Sequence, residues 1–385
     1  MLHDLVIVGA GPVGATLALA LRDADLDVVV LDARAEGTPY RSERSLALSH
    51  GARLILERLG VWQGLASMRD VVTPITSVDI SQAGGFGMAR LAASDHDLPA
   101  LGYVVSYRAL QSALDAELAR AGVPIRFGAA AKRVGGTAAY AAVTLAEDRA
   151  DPIIARLAAI ADGGGAMVDG ITRERREYGQ VALTAKISLD HPHGGCAFER
   201  FTAQGPMALL PEGDRYGVVW TLTPERAEEA LALSDRAFLD SLCTRFGPVA
   251  HGFVGVSARR SFPLALEIAR PAIGTRVVVI GNAAQSLHPV AGQGFNLGMR
   301  DAFELARTII DASRDTLGND RMLQKHARRR LPDRLSAIAF THGLVGLFGT
   351  DFPLVRWPRG VALTMLDAVP AIKRAFARAM LFGVH

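Results

Sequence analysis

The chain is expected to be an α/β protein in which a nucleotide-binding core carries an inserted β-sheet domain and ends in helices. Three observations predict this. The apolar run Leu5–Val8 leads into Gly9-Ala-Gly11-Pro-Val-Gly14, a helical pattern from Pro12 to Leu21, and a second apolar run, Val28–Leu31, that ends on Asp32. Strand, G-x-G-x-x-G, helix, strand and an acid about 20 residues further on form a dinucleotide fingerprint. Far along the chain, the apolar run Val277–Ile280 enters Gly281-Asn-Ala-Ala-Gln-Ser-Leu-His288-Pro289-Val-Ala-Gly292-Gln-Gly294-Phe-Asn296-Leu-Gly298-Met-Arg300-Asp301, with a helical pattern from Leu297 to Ile310. Side-chain-free positions let backbone approach a ligand, and a helix N-terminus offers unpaired N–H groups to a phosphate. The third observation is the segregation of strand-like and helical stretches between and after these motifs.

Each element has its own reason. Gly9 permits a tight turn, Gly11 admits a pyrophosphate, Gly14 lets helix pack on strand, and Asp32 accepts hydrogen bonds from a ribose. A helix is expected near Ser45 to Leu59 and another from Tyr107 to Ala121, where Leu110, Leu114 and Leu118 recur at helical spacing. Residues 74–99 alternate, with Gly84-Gly85 as a hairpin signal, and are expected in a second sheet. Strand-like pieces continue to Ile160-Ala-Asp162-Gly163. From Gly179 to Phe262 strands dominate, with one helix in the region Arg226 to Arg245. These readings divide the chain into a discontinuous nucleotide domain (1–73, 100–178 and 264–318), an inserted substrate domain (74–99 and 179–263) and C-terminal helices (319–385).

Composition bounds the function. A chain of 385 residues, half apolar, can bury a large core in two domains. The net charge is +3 and all but four of the basic residues are Arg, which gives no argument for a nucleic-acid partner. Cys196 and Cys243 form no C-x-x-C, no disulfide framework and no metal-ligand spacing, so no metal is expected and a reducing compartment is. No apolar run reaches the roughly 18 residues of a membrane span, and strand 1 starts too early for a signal peptide. The expected location is cytoplasmic.

The two motifs resemble the class A flavoprotein aromatic hydroxylases, built on a glutathione-reductase-type FAD domain. Within them the chain is most similar to the ubiquinone-biosynthesis hydroxylases of the 2-octaprenyl-6-methoxyphenol hydroxylase type. The family's second motif usually begins Gly-Asp, whereas this branch often begins Gly-Asn-Ala-Ala-Gln, as here from Gly281. Ala197-Phe-Glu-Arg-Phe-Thr202, Gly205-Pro206 with Leu210-Pro211, Val219-Trp220 and Phe262-Pro263-Leu264 extend the similarity over essentially the whole chain. It implies FAD as cofactor, NADPH or NADH as transient reductant, and a flavin C4a-hydroperoxide that hydroxylates the ring of a polyprenylated phenol.

The resemblance also implies site residues. Gly9, Gly11, Gly14, Asp32, Asp162, Gly281, Asn282, Gly292, Gly294 and Asn296 would hold FAD. Arg44 matches a flavin-contacting arginine, or is a solvated loop residue. Arg108 matches a position that touches the FAD phosphate or ribose, or is a surface residue, with Gln111 one turn on. The Asp162-Gly163 loop, beside which the family places FAD and the path of the nicotinamide, departs from the family's pattern, with Ala166 and Asp169 where Ser and Arg are usual. His288 could relay the phenol proton, or could order its loop, and Pro289 sits at the flavin-loop position. The loop 289–294 is expected over the isoalloxazine, under a roof from Thr184 to Thr221. Phe198, Phe201, Met207 and Trp220 are plausible apolar liners or core residues. His191-Pro-His193 reads as a turn.

Apolar stretches at Phe340–Phe348, Phe352–Leu366 and Ile372–Phe382 alternate with Arg356, Arg359, Lys373, Arg374 and Arg378. They suit packing on the FAD domain, with peripheral contact on the inner membrane face and a ubiquinone-biosynthesis complex as further partners. Other enzymes of this fold, a halogenase or a reductase, are rivals, although the Trp-x-Trp of flavin halogenases is absent. A non-catalytic flavin- or lipid-binding subunit is another.

Overall fold

The computed structural model describes residues 1–38, 44–68, 70–147, 151–348 and 353–384. Phe352 lies outside the described residues, as do the side chains of Phe348 and Arg356.

The N-terminal strand Leu2–Val8 is buried along nearly its whole length. It pairs in parallel with Val28–Leu31 on one side and Ile153–Ile160 on the other. Val277–Val279, which leads into the second glycine motif, also lies parallel to Ile153–Ile160. Both glycine motifs therefore leave the same end of one sheet, where ligands of open α/β sheets bind. The strands Ala131–Gly136 and Ala141–Leu145 extend this sheet as an antiparallel edge.

Helix α1 (Pro12–Ala20) begins with proline inside its first turn, where a missing N–H costs nothing. The expected helix from Ser45 is shorter than its pattern suggested. Ser45–Ser49 is a strand paired with Gly102–Ser106 in a small three-stranded sheet. Ser49 then caps α2 (His50–Arg58), its side chain accepting from the Ala52 N–H. Helix α3 (Val61–Ala66) follows, and α4 (Tyr107–Arg120) covers most of the helix expected there. α1 and α4 pack over one face of the nucleotide sheet around Leu17, Leu110 and Leu114.

The second large sheet has nine strands and is mostly antiparallel. The hairpin Ser77–Gln82 and Met88–Ala92 joins it through a parallel pairing with Cys196–Thr202. Its long central strand, Thr172–Leu189, pairs with Arg260–Arg270. The borders at 178/179 and 263/264 fall inside this pair, where Gly179 takes a left-handed φ of 63° and the register shifts. The single helix expected around residues 226–245 is two: α5 (Pro224–Ala232) and α6 (Asp235–Phe246). Ser234 stops the first and caps the second, its hydroxyl accepting from the Ala237 N–H.

Helix α7 (Gln293–Ile310) rises from the second motif and packs on α1. The chain then continues helical, through α8 (Asp320–Phe348), α9 (Pro353–Ala368) and α10 (Pro370–Phe382). These helices return to the large sheet and to α2. Among the described residues no helix is long and apolar enough to cross a membrane.

Candidate active site

A cleft of about 600 Å³ opens where the two glycine motifs meet, lined by Gly9–Val13, Asp32, Asp162, Asn282 and Gly294 among others. The first turn is built by close approach. Gly9 has a φ of 101°, and a Cβ there would lie 2.8 Å from the Ala161 carbonyl oxygen. A Cβ on Gly14 would lie 1.9 Å from the Gly9 oxygen. Gly11 differs: its φ is −62° and a Cβ would meet only the Tyr107 hydroxyl, at 4.0 Å. Its missing side chain leaves space in the cleft, directly before the α1 N-terminus, which no side chain caps.

Asp32 is buried at the end of its strand. Its Oδ1 accepts from the Arg34 N–H at 2.8 Å, while Oδ2 has no hydrogen-bond partner among the described residues and lies 3.6 Å from the Arg34 guanidinium. A buried carboxylate oxygen facing a cleft and lacking a donor suits a ribose hydroxyl. Arg44 lies at the cleft wall with its guanidinium 4.2 Å above the Tyr107 ring. Arg108 is exposed and is not among the cleft-lining residues, because the buried face of α4 carries Tyr107, Leu110, Gln111 and Leu114 instead. Gln111 donates to the Ala10 carbonyl at 2.9 Å and thereby braces the first glycine turn.

Asp162 closes its own loop, accepting from the N–H groups of Gly164 at 2.8 Å and Ala166 at 2.6 Å. Arg173, unnoticed in sequence, donates to the carbonyls of Gly164 and Ala283 and so ties this loop to the second motif. Gly163 and Gly164 take left-handed φ values of 76° and 106°, and a Cβ on Gly164 would also meet the Arg173 guanidinium; Gly165 is under neither constraint. No periodicity marked Arg173, which lies in the charged stretch Thr172-Arg-Glu-Arg-Arg-Glu177.

Gly281, with a φ of 61°, packs on Val13, and Asn282 is exposed to the cleft. Gly292, with a φ of 60°, starts α7. His288 is buried beside its loop. Its Nδ1 accepts from the Val290 N–H at 3.2 Å, its ring meets Tyr178 edge-on, and burial lowers its pKa to about 4. It lines neither cavity, so the loop-ordering alternative describes its place. Asn296 is likewise committed to backbone. Its Oδ1 accepts from the Ser49 N–H, and Nδ2 donates to the carbonyls of Ala47 and Gly292. Asn296→Ala strands several buried groups and should cost roughly 2–4 kcal/mol of stability, measurable by denaturant unfolding.

Beyond the 289–296 segment lies a second cavity of about 260 Å³, almost wholly apolar. Pro289, Val290 and Gly292 line one side, the large sheet another, and Phe340, Leu363, Phe376 and Met380 of α8, α9 and α10 close it. Phe201 faces it as expected; Phe198 borders it, but its ring lies on the opposite face against Tyr216, and Met207 and Trp220 do not line it. These two are paired in register and point to the opposite face, into the core with Phe238 of α6. Their neighbours Pro206, Ala208, Val219 and Thr221 line the cavity instead, as the two-residue period of a strand requires.

Among the described residues no group of three or more side chains is placed to hold a metal. His191 pairs with Asp190, and His193 with the Gly213 carbonyl, as members of a turn.

A glycine-built cleft at the carboxyl ends of parallel strands, an uncapped helix N-terminus and a buried carboxylate oxygen without a hydrogen-bond donor among the described residues fit a bound dinucleotide. The chain belongs to the FAD binding domain family, which matches residues 3–336. It is 32% identical to the ubiquinone hydroxylase UbiL of Rhodospirillum rubrum, over 97% of this chain and 88% of that one. It is 28% identical to the 3-demethoxyubiquinol 3-hydroxylase of Escherichia coli, over 96% of each. Its fold matches the p-nitrophenol 4-monooxygenase PnpA from Pseudomonas putida DLL-E4 with a TM-score of 0.77, at 18% identity, covering 100% of this chain and 99% of that one. The protein is an FAD-dependent monooxygenase with a helical C-terminus.

Proposed function

We propose that the protein hydroxylates the aromatic ring of a polyprenylated phenol in ubiquinone biosynthesis, with dioxygen as oxidant and NADPH or NADH as reductant. One observation carries the reading: the segment 292–298 lines both cavities, with Gly294 and Gly298 on the dinucleotide cleft and Gly292, Gln293 and Asn296 on the apolar pocket. A ring system held across that segment lies against a dry pocket sized for a substituted phenol. The names of the ubiquinone-hydroxylase relatives supply the substrate class.

In this reading Gly9, Gly11 and Gly14 with the α1 N-terminus hold the pyrophosphate, and Asp32 holds a ribose. Arg44, Asp162, Asn282 and Gly294 border the rest of the cofactor, and Gly281, packed on Val13, shapes the turn that presents Asn282. FAD, when bound and reduced, supplies the activation of dioxygen; the protein positions the ring and excludes water. Nicotinamide has no dinucleotide fingerprint of its own here and reaches the flavin transiently. A long prenyl tail leaves the pocket beside α9, where the exposed Phe86, Met88 and Trp357 offer apolar surface near Arg90. That surface supports peripheral contact with the inner membrane face, where pathway partners would meet the protein.

The test is a reductant assay with purified protein, membranes or detergent, and a prenylated methoxyphenol. NAD(P)H oxidation should be slow alone, faster with the phenol, and matched by hydroxylated product. If deletion leaves ubiquinone unchanged and no prenylphenol is hydroxylated even with membranes added, the substrate assignment is wrong.

A further inference from the structure

Glu199 is the only ionisable side chain among the described residues that line the apolar pocket. It sits mid-strand in Cys196–Thr202, on the face shared with Ala197 and Phe201, and its register partners Ile80 and Ala208 line the pocket too. Two residues on, Phe201 packs in one cluster with Val290 of the loop that borders the cofactor cleft. The carboxyl therefore stands on the pocket roof, about 7 Å along the strand from a side chain that touches that loop.

Among the described residues no salt bridge or hydrogen bond engages the Glu199 side chain. The pocket walls from the Ser77–Gln82, Gly205–Glu212 and Arg215–Leu222 strands, from 289–296 and from α8, α9 and α10 bring no other charge to it among the described residues. The adjacent charges are directed elsewhere. Arg200 donates to Ser81, and Asp79 pairs with Arg90; by strand alternation both lie on the other face. Burial without a counter-charge raises the Glu199 pKa to about 8. A lone acid in an otherwise apolar cavity is costly unless a ligand's polar group meets it.

Resting on the function proposed above, we infer that Glu199 is the catalytic base for the substrate phenol: its carboxylate accepts the hydrogen bond of the phenol O–H and takes its proton as the ring attacks the activated oxygen. The released O–H electron pair raises the electron density of the ring, which bonds to one oxygen atom of dioxygen. The other oxygen leaves as water, with two electrons from the nicotinamide passed on through FAD. The ring then loses its hydrogen as a proton to recover aromaticity, and Glu199 returns its proton to the phenolate oxygen or to water. The sum is phenol, O2, NAD(P)H and one proton going to hydroxylated phenol, water and NAD(P)+.

The experiment uses FAD-loaded protein, a short-chain prenylated methoxyphenol, and the O-methyl ether of that phenol, which has no O–H to donate. Dissociation constants are measured between pH 6 and 8.5, alongside turnover. For the wild type, affinity for the phenol should rise about tenfold or more across this range, because only the carboxylate is the full acceptor. Affinity for the ether should stay level. Glu199→Gln should bind the phenol with no pH dependence and lose roughly 100-fold or more in hydroxylation rate. A more acidic fluorinated phenol should recover part of that rate. FAD content and thermal midpoint of E199Q establish that the fold is intact. If phenol and ether show the same pH dependence on the wild type, or E199Q hydroxylates as the wild type does, the assignment of Glu199 is overturned while the hydroxylase reading stands. If the wild type neither binds nor hydroxylates any prenylphenol, both fall.

Discussion

Gly11→Val is expected to give a folded protein that no longer retains FAD. The three glycines of the first motif are not equivalent. A side chain on Gly9 or Gly14 collides with backbone, at 2.8 Å and 1.9 Å, so those substitutions damage the fold before they report on the cofactor. At Gly11 the backbone is extended and its Cβ position is open, with the Tyr107 hydroxyl 4.0 Å away. Branched methyls there fill space in the cleft at the start of α1, where a pyrophosphate would receive the unpaired N–H groups. The purified variant should be colourless, with FAD per chain reduced at least about tenfold, the factor of a 1.4 kcal/mol loss. Monooxygenase activity should fall in step. Flavin absorbance after denaturation and a circular dichroism spectrum suffice as measurements. A folded Gly11→Val protein with full FAD would move the pyrophosphate out of this turn.

Asp333→Ala is expected to destabilise the protein by about 3–5 kcal/mol, the usual cost of leaving a buried charge unpaired. Asp333 receives Nε and Nη2 of Arg300 at 2.8 and 3.2 Å, Nη2 of Arg330 at 2.8 Å, and the Val384 N–H at 3.1 Å. Arg330 also donates to Asp301 Oδ1, while Asp301 Oδ2 accepts from Gln285 and from the Gly281 N–H. One buried network thus connects the C-terminal end of the chain to the first residue of the second glycine motif. Removing Asp333 leaves two guanidinium groups short of a partner and frees the chain end. Flavin affinity should weaken as a consequence of the loosened motif.

The same network has a pH signature. Burial opposes the charged form of Asp333, but hydrogen bonds from Arg300 and the charges of Arg300 and Arg330 outweigh it, so its pKa is lowered. A group whose folded value lies below its unfolded one stabilises above the unfolded value, and that contribution disappears as pH falls through the folded value. Acid unfolding curves of wild type and Asp333→Asn should therefore converge below the ordinary carboxylate range and separate above it. Parallel curves across the whole range would show that Asp333 is not the group responsible.

Much of this molecule is legible in its sequence. Two glycine motifs, each behind an apolar strand and before a helix, implied a cofactor held from both ends of the chain, and both leave the same end of one sheet. Local spacing sufficed because a βαβ turn is a local object. The helix from Tyr107 and the hairpin around Gly84-Gly85 were legible for the same reason.

Other features had no local signal. Whether Ser45–Ser49 is helix or strand depended on Gly102–Ser106 lying beside it. Met207 and Trp220 are as apolar as Phe201, and only the sheet's orientation sends those two into the core and Phe201 into the pocket. Asn296, inside a cofactor motif, is engaged by Ser49 and Ala47, some 250 positions away in the chain. Glu199 was visible only as a letter of a family segment until three C-terminal helices closed an apolar chamber around it. The sequence by itself determined which segments can hold a dinucleotide, since that depends on backbone space and adjacent periodicity. Only the tertiary structure decided which polar groups are satisfied and which face an empty cavity, because hydrogen-bond partners and burial come from segments that are distant in the chain.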